Sequence, residues 1–106
     1  MEVNYKRPFN QFVKKAHKPL QLAIEDVVEA IRYHPELGEM KVGDLAGIRV
    51  YKFRFNRQEY LVAYRVLTMI IQSGEADQVE FLTIDFYQVG THQNFYEMLK
   101  RFLREE

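Results

Sequence analysis

Two stretches hold residues whose types could do chemistry. In VGTHQNFYEMLKRFL, residues 89–103, His92 stands just before a helix-like pattern, and Tyr96 follows its first apolar position, Phe95. Histidine exchanges protons near neutral pH, so His92 could serve as an acid or a base. Between residues 41 and 65, Lys41, Arg49, Lys52, Arg54, Arg57 and Arg65 face only Asp44 and Glu59, a local excess of four positive charges. Such a stripe acts locally even on a neutral chain, because salt screens surface charges beyond ~8–10 Å. Each feature also has a plainer reading. His92 would be a turn residue touching nearby backbone, Tyr96 an aromatic at the edge of a core, and Lys52 and Arg54 part of a solvated sheet face.

The bulk composition narrows what surrounds these residues. The 106 residues suit one domain, 1–106, and 47% of them are apolar, enough to bury a core. Fifteen basic and fifteen acidic side chains cancel, which argues against a dedicated nucleic-acid binder, since these are visibly basic. The lack of cysteine excludes thiol catalysis, disulfides and Cys-based zinc sites. No apolar run approaches the ~20 residues a bilayer span needs, and the first residues lack a signal peptide's apolar region. A cytoplasmic protein with no membrane contact is expected, with no cofactor and no metal.

The elements that must position the residues can be read from periodicity. Phe9, Phe12, Val13 and Ala16 fall on one helical face. From Pro19, well placed in a first turn, Leu20, Ala23, Ile24, Val27, Val28 and Ile31 form a second stripe, which Pro35 ends. These two segments predict a helical hairpin. The period then becomes two. Tyr51, Phe53 and Phe55 alternate with Val50, Lys52 and Arg54, and Tyr60, Val62, Tyr64 and Val66 with Leu61, Ala63 and Arg65. Leu82, Ile84 and Phe86 likewise alternate with Phe81, Thr83, Asp85 and Tyr87. A last helix carries Phe95, Met98, Leu99, Phe102 and Leu103 on one stripe, and Asn94 with Glu97 resembles a capping box.

The expected class is α+β: a small antiparallel sheet, an N-terminal helical hairpin and a C-terminal helix, with a possible extra strand at Val3–Tyr5. The helices would cover one face and leave Lys52, Arg54 and Arg65 on the other. Phe81 and Tyr87 on that open face suggest that a partner covers them.

The segments GDLAGIRVYKFRF, EYLVAYRV and GTHQNFYEMLKRF, in that order and spacing, resemble the RelE/ParE toxins of bacterial type II toxin–antitoxin modules, closest to a ParE-like branch. The resemblance implies a cytoplasmic toxin held inactive by a cognate antitoxin, as a hetero-oligomer or with a homodimer. Its members act in two ways: by cleaving mRNA on the ribosome without a metal, or by binding DNA gyrase with no chemistry of their own; a third alternative is a decayed toxin that only binds its antitoxin. Cleavage is the favoured implication, making the chain a metal-independent endoribonuclease. Its catalytic residues would be Lys52 and Arg54 at the phosphate, with His92 and Tyr96 at the scissile position. Arg49 and Arg65 would bind RNA, or else pair with Asp85 or Glu80, and Phe81 and Tyr87 would meet the antitoxin. Relatives that cleave usually read Y-R-L-x-Y on the central strand; here YLVAY puts Leu61 at the arginine's place. Arg65 lies four residues further on, ~13 Å along a strand.

Overall fold

A computed structural model describes residues 1–74 and 77–106. The chain begins with a strand, β1 (Glu2–Tyr5), and continues through helices α1 (Arg7–Lys15) and α2 (Lys18–Tyr33). Strands β2 (Glu39–Met40), β3 (Arg49–Phe55), β4 (Gln58–Ser73) and β5 (Asp77–Thr91) follow, then helix α3 (Phe95–Glu105). They form one five-stranded sheet in the order β1-β5-β4-β3-β2. The α+β class holds, but the expected opening on a helical hairpin is corrected, because β1 precedes both helices. The sheet is also mixed rather than antiparallel, since β1 runs parallel to β5.

Local sequence explains the boundaries. Pro19 occupies the first turn of α2, where a missing N–H costs no bond. Pro35 pushes His34 out of the helical region, to φ −136° and ψ 78°, and α2 ends at Tyr33. Asn56 and Arg57 both adopt positive φ, 53° and 68°, giving the tight turn whose twist suits the β3–β4 hairpin.

A larger correction concerns the sheet's faces. One face meets α1 and α2 through Phe9, Leu20, Ile24, Ile31, Val62, Tyr64 and Phe86. The face expected to be open is covered by α3, whose Phe95 and Leu99 pack with Val50, Leu61, Ala63 and Tyr87. The central run Leu61, Val62, Ala63 and Tyr64 is 0% exposed throughout, as a strand buried on both sides must be. Alternation in YLVAY was therefore between two apolar rows, not between a core row and a wet one. A β-bulge completes the fit: Ala63 pairs with Gln88 and Tyr64 with Phe86, leaving Tyr87 as the extra residue. Tyr87 and Gln88 consequently both serve the α3 side, Tyr87 by packing and Gln88 by donating its Nε2–H to the Phe95 carbonyl at 2.8 Å.

Candidate functional site

Where α3 ends its cover, the sheet's α3 face emerges as a polar rim. Register decides what stands there. Lys52 lies opposite Leu61, and Arg54 opposite Glu59, so the two cations and the carboxylate share one face of the β3–β4 hairpin. Lys52 and Arg54 are exposed. On the next strand Leu61 faces Gly90 and Tyr60 faces Thr91, which carries the chain after β5 to the Glu59 end of β4. There His92 donates its Nε2–H to Glu59 Oε1 in a short contact.

This geometry acts on the carboxylate. The Glu59 carboxyl is held below its ordinary pKa, first by the hydrogen bond from His92; burial opposes this, and the charges of His92, Lys52 and Arg54 add to the lowering. Lys52 and Arg54 thus share a field with the His92–Glu59 pair. A second pair adjoins it. Lys41 Nζ bonds Glu39 Oε1 at 2.9 Å and lies 5.7 Å from the centre of the Tyr96 ring. The hydrogen bond to Glu39 raises the Lys41 pKa, while desolvation opposes it and Tyr96 adds to the rise. Glu39 is lowered in turn, chiefly by Lys41, and the Lys52 charge contributes. Lys52 therefore lies within the field of both carboxylates. Tyr96 is half-buried, edge-on to Phe95 at 5.4 Å between ring centres.

The four residues expected to be catalytic, Lys52, Arg54, His92 and Tyr96, surround this rim. The two expected to bind RNA do not. Arg49 turns to the opposite side, where Nη1 donates to the carbonyls of Gly38 at 2.7 Å and Glu36 at 3.4 Å and fixes the chain before β2. Arg65 lies over the Tyr87 ring at 5.4 Å, further along β4. Neither pairs with Asp85, which instead accepts a 3.0 Å hydrogen bond from Asn4. Phe81 and Tyr87 do not form a shared exposed patch: Phe81 is exposed, whereas Tyr87 is buried beneath Arg65 and against Phe102. The bulge accounts for this, because it directs Tyr87 into the α3 core.

The expected capping box is also corrected. Asn94 has left-handed backbone, φ 59°, and its side chain makes no capping bond; the Met98 N–H bonds the Asn94 carbonyl instead. The Phe95 N–H bonds the His92 carbonyl at 3.2 Å, closing the turn that presents the imidazole.

Sequence reasoning missed Glu59, Lys41 and Glu39. The signal for Glu59 was available, since a two-residue turn at Asn56–Arg57 sets Arg54 opposite Glu59. Among the described residues, no three acidic or histidine side chains gather as a metal ion would require. Among the described residues, no helix is long and apolar enough to cross a membrane.

A family model describing the ParE-like toxin of type II bacterial toxin–antitoxin systems matches residues 3–100. Neither a curated protein nor a solved structure matches the chain. The match spans nearly the whole sheet and the start of α3, the elements that build the rim, and the chain belongs to the ParE-like toxins of type II bacterial toxin–antitoxin systems.

Proposed function

We propose that this toxin, whose family membership implies an antitoxin partner, acts in the cytoplasm by cleaving mRNA on the ribosome. The observation that carries the reading is the His92–Glu59 pair with Lys52 and Arg54 in the same field. A carboxylate accepting the Nε2–H fixes the imidazole tautomer and leaves Nδ1 to take a proton. In the proposed reaction, Nδ1 removes the proton from an RNA 2′-hydroxyl, whose oxygen attacks the neighbouring phosphorus. The bond to the 5′-oxygen breaks, leaving a 2′,3′-cyclic phosphate. Lys52 and Arg54 neutralise the charge gathering on the phosphoryl oxygens, a task for preorganised cations. Tyr96 gives its hydroxyl proton to the departing oxygen, with the Lys41 ammonium beside its ring as counter-charge. The test is primer extension on ribosomes stalled at a defined codon. A new 5′ end within that codon, absent with His92→Ala and reduced about 10²-fold or more with Lys52→Ala, is the expected result.

One observation favours a second reading, inhibition of DNA gyrase by binding alone. Leu61 occupies the place where cleaving relatives carry arginine, and it is fully buried under α3. On that reading the message stays intact, gyrase supercoiling falls, and His92→Ala leaves the effect unchanged.

A further inference from the structure

β4 and β5 run on past their neighbours. Pairing of β3 with β4 stops at Arg49 opposite Tyr64, and pairing of β1 with β5 starts at Glu2 opposite Thr83. Beyond both points the two strands continue paired only with each other as a two-stranded arm, from Thr68 opposite Leu82 to Ser73 opposite Asp77. Among the described residues, no strand adjoins β4 along Arg65–Ser73 on its β3 side. The arm is strongly apolar for an exposed ribbon. Leu67, Met69 and Ile70 are 44%, 61% and 62% exposed, and Phe81, opposite Met69, is 52% exposed.

The arm's two outer edges differ. Natural sheets blunt a free edge with charge, proline or a bulge, because its unpaired N–H and C=O groups invite another strand. On β5 the charge of Glu80 interrupts the apolar row, so that two copies joined there would bring like carboxylates into one ladder. On β4, residues 66–74 contain no charge and no proline. A two-stranded ribbon is also marginal alone, while four strands with a shared apolar face are not.

We propose that the free β4 edge pairs antiparallel with the same edge of a second copy of this chain, across a two-fold axis at Met69. Full overlap of the nine-residue segment Arg65–Ser73 puts Met69 opposite its own copy and Thr68 opposite Ile70 of the second copy. Arg65, the segment's one charge, falls at the two far ends, so no like charges meet. The result is an isologous interface, self-complementary by symmetry. It joins the Leu67, Met69 and Phe81 surfaces of both arms into one sheet face.

Sedimentation of the chain free of its antitoxin tests the inference. The wild type should show about twice the single-chain mass of 12.7 kDa at micromolar concentration. Met69→Lys, placed at an exposed position, should reduce it to the single-chain mass with an unchanged circular dichroism spectrum. Glu80→Gln should leave the doubled mass in place. Within 65–73, the amides that point away from β5 should be slow to exchange hydrogen in the wild type and fast in Met69→Lys. A wild type of single-chain mass overturns the proposal, as does a doubled mass in Met69→Lys. So does exchange protection of this segment that arises only when the antitoxin is bound.

Discussion

His92 and Glu59 are 33 residues apart in sequence and in direct contact at the rim of the sheet, imidazole Nε2–H to carboxylate. The contact exists because β4 and β5 leave the core at the same end, one strand entering at Gln58 and the other departing at Thr91. Both side chains are reachable by solvent, so the pair contributes little to stability.

The pH dependence follows from the direction of the Glu59 shift. Its carboxyl titrates below the ordinary value of 4.5 because the ionised form is the one bonded to His92. A depressed carboxyl contributes its stabilisation in full above the unfolded value and loses it as pH falls through the folded one. The melting temperature of wild type should therefore exceed that of Glu59→Gln by a constant small margin at neutral pH. That margin should vanish as the buffer is taken well below 4.5. A margin that grows on acidification would contradict the pairing.

Leu61 makes the opposite kind of prediction. It lies beneath Phe95 and Leu99 with no exposure, so Leu61→Arg would not restore a relative's arginine to the surface. The guanidinium would be forced into the α3 core without a partner, and the variant should fail to fold or lose several kcal/mol, on the order of 3–5. Leu61→Ala should cost about 2–5 kcal/mol through the cavity it leaves. Urea unfolding measures both.

Tyr64 anchors the loop that supplies Glu39 and Lys41. Its hydroxyl donates to the Pro35 carbonyl at 2.6 Å and accepts the Gly38 N–H at 2.7 Å. Burial raises its pKa, although the bond from Gly38 opposes this. Tyr64→Phe removes both bonds with little change of shape, and should destabilise by about 1–3 kcal/mol. Gly38→Ala should be worse placed still, because a Cβ there would stand 2.8 Å from the Tyr64 ring. Thermal melts of the two variants, with Arg49→Ala as a third release of the same loop, give the ranking.

Arg57 offers a stabilising change. Its φ of 68° is strained for a residue with a Cβ, and an Asn-Gly pair is the preferred form of this turn. Arg57→Gly should raise stability by about 1 kcal/mol, read as a higher urea midpoint, while the carbonyl that accepts from Arg54 Nη2 is retained.

Local pattern made much of this protein legible. The α2 stripe of Leu20, Ile24, Val28 and Ile31 is the buried one, and Phe95 and Leu99 are the buried residues of α3. Lys52 and Arg54 do project to solvent beside each other. What stayed hidden was whatever depends on partners distant in the chain. Alternation in β4 shows that two faces exist, but not that α3 covers the second. The bulge at Tyr87 changes which way one side chain points, and no propensity marks it. Asn94 has the residue type of a side-chain cap, yet its left-handed backbone answers to the turn that presents His92. Arg49 reads as surface charge until the Gly38 and Glu36 carbonyls come within its reach.

The parallel seam between β1 and β5 has a consequence for synthesis. Val3 pairs with Ile84, so the first strand has no place in the sheet until most of the chain has been made. The contact between Glu59 and His92 and the cover from α3 come later still, with residues 92–105. Loops of this span close late, after local helices and hairpins. A chain that stops before Ile84 thus lacks the edge strand's partner, the His92–Glu59 contact and the α3 cover together.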